Sequence, residues 1–128
     1  MDELRLASGE GASQVEVRAH WVGRDLVVTI GGGTHAHVGA VAVAQPRPSL
    51  KGDGSVSATA SVIALLGHKE DELARWAALH LAAKLNRTVV VTAGLHVDNA
   101  TMEQILYLDA EARRLVGEAD LMGTRPGA

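Results

Sequence analysis

The sequence predicts an α+β fold: a mixed, mainly antiparallel five-stranded sheet in the order β-β-β-β-α-β-α, with two helices packed on one face. Three observations predict it. Apolar and polar residues alternate with period two in the first half of the chain, and helical periodicity begins only near residue 68. Gly and Pro clusters cut that first half into short segments. A run of valines then separates two helical segments, so a strand–helix–strand unit completes the sheet. The 128 residues are expected to form a single domain, with 1–13 a loose arm and 119–128 a mobile tail.

Each element has a local reason. Val15, Val17, Ala19 and Trp21 alternate with Glu16, Arg18 and His20, which is the pattern of a half-buried strand over 15–22. Gly23-Arg24-Asp25 turns the chain into a second strand over 26–30, making a hairpin. Gly31-Gly32-Gly33-Thr34 breaks it. A third strand runs over 37–45 and stops at Pro46-Arg47-Pro48, and a fourth runs over 55–66. Strands one to four are expected to form an antiparallel meander. Helix one covers 68–85, with Glu70, Asp71 and Glu72 in its first turn and Lys84 and Arg87 at its end, both favourable to the helix dipole. Leu73, Trp76, Ala77, His80 and Leu81 share one face, and Asn86 suits a left-handed C-cap. The run over 88–95 reads as a strand covered on both faces. Asp98 or Asn99 caps helix two, over 101–118, with its stripe at Ile105, Leu108, Ala112, Leu115 and Val116.

Composition excludes several classes. There is no cysteine, hence no disulfide scaffold, thiol nucleophile or Cys-ligated metal. Net charge is −3, so there is no global electrostatic case for nucleic acid, and three aromatics do not make a base-stacking platform. The acidic start is unlike a signal peptide, and no apolar run is long enough to span a membrane, so a cytoplasmic protein is expected. With 21 Ala and 14 Gly, the core must rest on close backbone approach rather than large side chains. Six histidines remain to be explained.

If the third and fourth strands are antiparallel, the start of one lies beside the finish of the other, and the strand–helix–strand unit puts the end of the fifth strand there too. His37, His68, His96 and Asp98 then converge on one edge, together with the Gly31–Gly33 loop. Imidazoles and a carboxylate suit Zn, Mn, Ni or Fe, although the spacing matches no standard metal motif; loop histidines satisfied by backbone are the alternative. His35 is a possible extra ligand, although its Gly-rich loop favours solvent exposure, and His20 and His80 are expected to be structural or on the surface. The start of helix one offers free N–H groups and Lys69 to an anion, partly cancelled by the acids that follow. Arg47, Ser49 and Lys51 form a second polar cluster at the opposite end of the sheet, with a fork donor suited to phosphate. It reaches the histidines only if a second subunit brings it there; otherwise it is an exposed loop. Glu70 beside His68 is a conceivable general base, or simply a first-turn acid.

Five motifs together resemble one family: Gly-Gly-Thr-His-Ala-His-Val-Gly-Ala-Val-Ala (32–42), Gln-Pro-Arg-Pro-Ser-Leu (45–50), Ser-Ala-Thr-Ala-Ser-Val (57–62), Gly-His-Lys-Glu-Asp-Glu-Leu (67–73) and Gly-Leu-His-Val-Asp-Asn-Ala-Thr (94–101). It is the small accessory D subunit found beside UbiD-type hydroxyarylate or gallate decarboxylases, a prenylated-FMN chaperone. The resemblance spans about residues 26 to 105. It implies a non-catalytic protein with a fold akin to proteasome-assembly chaperones, a homodimer that binds reduced prenylated FMN or FMN and a divalent ion. Its implied partners are the decarboxylase and the flavin prenyltransferase. On the family's motifs, His37, His68, His96 and Asp98 are the candidate metal ligands, and Arg47, Ser49, Lys69 and Gly39 the candidate cofactor contacts. Two further readings stay open: a metal-dependent enzyme with Glu70 as base, and a flavin-independent assembly chaperone docking decarboxylase subunits on the open sheet face.

Overall fold

A computed structural model describes residues 3–65 and 70–122. Six strands, β1 (Glu3–Ser8), β2 (Val15–Val22), β3 (Asp25–Gly33), β4 (Ala40–Pro48), β5 (Val56–Ala64) and β6 (Val89–His96), form one sheet. Its order is β1-β2-β3-β6-β4-β5. Two helices, α1 (Asp71–Leu85) and α2 (Met102–Glu118), complete the fold. The α+β class, the mixed sheet and the two helices are as the sequence predicts.

β3 and β4 run on through Gly31–Gly33 and Pro46–Pro48, where the sequence predicts breaks, because each segment still has a pairing neighbour in β6 or β5. Three further features differ. First, the sheet has six strands, because Glu3–Ser8 pairs antiparallel with β2, with Leu6 opposite Val17 and Arg5 opposite Arg18. Leu4 and Leu6 do alternate with Glu3 and Arg5, but the segment holds no β-branched residue to signal a strand. Second, the meander is interrupted. β2–β3 and β4–β5 are antiparallel hairpins, but β6 is inserted between β3 and β4, parallel to the first and antiparallel to the second. The central place goes to the most apolar strand: Val89 and Val91 are fully buried. Third, that strand is covered by helices on one face only, and Val90 on the other face is half-buried.

The core lies between the helices and one face of the sheet. Val15, Val17, Leu26, Val28, Ile30 and Val91 point into it. α1 packs over β4, β5 and β6, and α2 chiefly over β2. Ala74, Ala77, Ala78 and Ala82 of α1 are buried, as are Ala40, Ala42 and Ala44 of β4. Small residues in both elements let the helix axis come close to the strand, which accounts for the alanine-rich composition. Trp76 and His80 face the seam between the helices rather than the sheet. Their rings stack at 5.1 Å, and the Arg113 guanidinium lies 5.0 Å from the Trp76 ring centre.

The ends follow local chemistry. Asn86 closes α1 in the left-handed conformation, with φ 53°. The cap of α2 is Thr101 rather than Asp98 or Asn99. Its hydroxyl accepts the Gln104 N–H at 3.1 Å, and the Gln104 side chain accepts the Thr101 N–H at 2.9 Å. This reciprocal box outcompetes an isolated acid, and Asp98 is engaged by His96 instead. The tail begins with a short 3-10 turn over Ala119–Met122. Among the described residues, no helix is long and apolar enough to cross a membrane.

Candidate functional site

The parallel pair β3 and β6 ends in register, with Gly31 beside Gly94 and Gly33 beside His96. The chain leaving β3 must cross the end of β6 to enter β4 on its far side. Glycines permit the crossing. Gly33 has φ +77°, and a side chain there would strike the His96 carbonyl. A Cβ on Gly94 would sit 1.8 Å from the His37 carbonyl oxygen. Backbone bonds fasten the crossing: Thr34 N–H donates to His96 O at 2.8 Å, His37 N–H to Gly94 O at 3.4 Å, and Gly39 N–H to Ala93 O at 2.9 Å. The segment 34–39 is thereby laid across the carboxyl ends of the two parallel strands, a position where α/β sheets commonly bind ligands.

Three of the four residues expected to converge do so. The His37 and His96 rings lie 6.1 Å apart, and His96 Nε2 is 2.8 Å from Asp98 Oδ1. His68 lies outside the described residues, as does Lys69. His35 is exposed as expected, yet it belongs to the edge: its ring centre is 6.0 Å from that of His96, and its Nε2 is 3.8 Å from Asp98 Oδ2. His96 holds the Asp98 carboxyl below the usual carboxylate range, through its hydrogen bond and then its charge, with partial desolvation opposing. Among the described residues, no group of three or more His, Asp or Glu is arranged to hold a metal ion.

Glu70 has a larger part than its sequence position suggests. As the residue before α1 it makes no side-chain cap. Its Oε1 accepts the Leu95 N–H at 3.3 Å and stands 3.5 Å from His37 Nε2, with only 14% of the side chain exposed. It therefore ties the start of α1 to the end of β6 and faces the imidazole. The sequence signal for it was its place two residues after His68, which is equally the signal of an ordinary first-turn acid.

The cofactor candidates divide. Gly39 is buried beside the edge. Arg47 and Ser49 lie at the other end: β4 runs antiparallel to β6 from Ala40 beside Ala93 to Ala44 beside Val89, and continues away from the histidines. There Arg47 Nε donates to Thr59 Oγ1 at 2.8 Å, and Ser49 Oγ accepts the Lys51 N–H at 3.2 Å.

Two grooves flank the histidine edge, one on each side of the sheet. The first, of about 590 Å³, lies on the face without helices, lined by Arg5, Arg18, Thr29, Gly31, Thr92 and His37. Arg5 and Arg18 share the single acid Glu16, whose carboxyl they hold below its usual range, Arg18 most through its hydrogen bond. The groove thus keeps an excess of positive charge. The second, of about 720 Å³, lies between the starts of α1 and α2, with Leu73, Leu95, Val97 and Leu108 in its lining and Asp71 and Glu72 at its rim.

Comparison with known proteins agrees with the fold and the motifs. No curated protein matches the chain. Solved structures that match include a chain from the crystal structure of a chaperone complex for yeast 20S proteasome assembly. It is 17% identical, with 94% of this chain and 99% of that chain covered, at a TM-score of 0.53. At that identity the likeness is one of fold alone. The family model for the prenylated flavin chaperone LpdD-like domain matches residues 9–121. The motifs, the fold and this match lead to one conclusion: the chain belongs to the LpdD-like prenylated flavin chaperone family.

Proposed function

We propose that this chain is a non-catalytic, cytoplasmic carrier of reduced prenylated FMN, which it receives after a flavin prenyltransferase has made it and protects for, or delivers to, a UbiD-type decarboxylase. The observation that carries the reading is the histidine edge in a chain of this family: His37, His96 and Asp98 gathered at the carboxyl ends of β3 and β6, beside a groove lined by two arginines. A divalent ion such as Mn or Zn would take its ligands from His37, His68, His96 and Asp98, a donor set that suits either metal. His68 and Lys69 are part of this reading because they immediately precede Glu70, whose carboxylate faces His37.

The flavin phosphate needs charged or hydroxyl donors. Within one chain, Arg5, Arg18, Thr29 and Thr92 supply them on the open face, and the groove there is of a size for a mononucleotide. Gly39, without a side chain beside the edge, would permit close approach of the ring, and Lys69 would add a cation. Arg47 and Ser49 would contribute only from a second copy, which is why the reading includes a homodimer. A groove open to solvent suits a carrier, since its cargo must leave.

The test is anaerobic gel filtration with reduced prenylated FMN and Mn, followed by mixing with apo-decarboxylase. Flavin absorbance is expected to elute with the wild-type chain and then to activate the decarboxylase. Absence of flavin from the protein peak, or retention unchanged in His37→Ala and His96→Ala, would overturn the reading.

A further inference from the structure

We infer that the first two turns of α2, with the start of α1, form a docking site for an apolar segment flanked by Lys or Arg on the protein that receives the cargo. This rests on the carrier reading and adds the surface by which delivery occurs.

The first observation is exposed apolar area. Met102, Ile105, Leu106 and Tyr107 are 68, 50, 62 and 44% exposed. Met102, Ile105 and Leu106 stand at i, i+3 and i+4, so they form one stripe on the helix. Only the later part of the sequence-predicted stripe, Leu108, Ala112, Leu115 and Val116, is buried in the core. A helix that presents two apolar faces in its first half has one more than its own fold uses.

The second observation is the groove beside the stripe. Ile105 and Leu106 line it from α2, Leu73 from α1, and Leu95 and Val97 from the end of β6. It offers apolar depth for side chains inserted alongside the helix, as in helix-in-groove recognition.

The third observation is charge. Asp71, Glu72 and Glu103 border this surface, and none of the three has an ion-pair partner among the described residues. Acids on the rest of α2 are paired: Asp109 with Arg113, and Glu111 and Glu118 with Arg114. Acids with no ion-pair partner among the described residues, set beside an apolar stripe, favour a partner segment with basic flanks, through complementary potential and faster encounter. A second copy of this chain docked α2 against α2 suits the surface less well, because Arg113 and Arg114 of α2 are already occupied within α2.

The experiment measures binding of a purified UbiD-type apo-decarboxylase to this chain, carrying flavin or empty, by biolayer interferometry. Leu106→Glu and Met102→Glu are expected each to weaken binding about tenfold or more. Glu72→Lys is expected to slow association and to reduce its salt dependence. Flavin retention and the melting profile should match wild type in all three, because these side chains are exposed. Decarboxylase binding unchanged by Leu106→Glu and Met102→Glu would overturn this site and leave the carrier reading standing. Loss of self-association in those variants, with decarboxylase binding intact, would make the surface a contact between copies and overturn the inference. No binding by the wild-type chain would overturn both delivery and this site.

Discussion

The groove on the open sheet face and the groove between the helices lie on opposite sides of one sheet and meet at the histidine edge. His37 lines the first and His96 the second. The open-face groove is floored by Thr29 and Thr92 and held positive by two arginines that share one acid. The helix groove is lined mainly by apolar side chains, with Asp71 and Glu72 at its rim and its one arginine, Arg113, neutralised by Asp109. A phosphate-bearing cargo suits the first and is repelled by the second; an apolar, basic segment suits the second. Two surfaces of opposite chemistry thus lie on either side of one thin sheet and share the residues of a single edge, so on the proposed function a cargo and a partner would not compete for surface.

The largest expected effect breaks both grooves together. In Gly94→Ala the new Cβ would meet the His37 carbonyl at 1.8 Å, so the crossing segment must lift from β6. A loss of about 3 kcal/mol is expected by urea denaturation, with flavin retention and decarboxylase binding both impaired. Wild-type stability in this variant would mean that 34–39 does not lie against β6.

The next prediction separates the grooves by charge. Arg18→Ala should weaken flavin retention by about tenfold, the scale of one charge-assisted hydrogen bond, and leave decarboxylase binding unchanged. Arg47→Ala sharpens the point. An effect as large as that of Arg18→Ala would favour a site shared between copies, and the two variants mixed as a heterodimer would then recover part of the retention.

How much of this was legible in the sequence depends on whether a signal was local. Period-two alternation marked β2, Gly and Pro turn signals marked off β3 to β5, the valine run marked β6, and Asn86 marked the end of α1. The convergence of His37 and His96 was also legible, although the meander assumed on the way was wrong. Inserting β6 between β3 and β4 still puts the end of β6 beside the start of β4, so two topologies share that juxtaposition. The placement of β6 itself was not legible, because strand order is set by which strand most needs two neighbours, a comparison across the whole chain. β1 was missed because Leu4 and Leu6 are a weak pattern among charged residues. Arg5 and Arg18 were missed because they are neighbours only once β1 pairs with β2. Of the expected α2 stripe only Ile105 lies outside the core, because periodicity reports an apolar face and cannot say whether the fold or a partner covers each of its residues.

A smaller effect acts on the helix groove alone. Thr101→Ala removes the reciprocal cap of α2 and should cost about 1 kcal/mol. Faster hydrogen exchange at Ile105 and Leu106 and weaker decarboxylase binding are expected, with flavin retention unaffected. Equal loss of both activities would show that the two grooves are not independent.

The smallest effect is electrostatic and sits at the edge itself. The Asp98 carboxyl is held below its usual range, first by the hydrogen bond from His96. A group whose pKa is lowered on folding stabilises the fold above its unfolded pKa, and that contribution disappears as pH falls through the lowered value. His96→Ala should therefore raise the Asp98 pKa toward the ordinary value of about 4, read by carboxyl NMR, and flatten the acid side of the stability profile. An unmoved Asp98 titration would mean that the pair does not form in solution.

The most direct measurement of the central claim is an anaerobic equilibrium titration of reduced prenylated FMN into the chain, with metal content determined on the same samples. Wild type is expected to bind saturably and only with the divalent ion, and the double variant His37→Ala/His96→Ala to lose binding while keeping its fold by circular dichroism. Binding of equal strength in the folded double variant would contradict that claim.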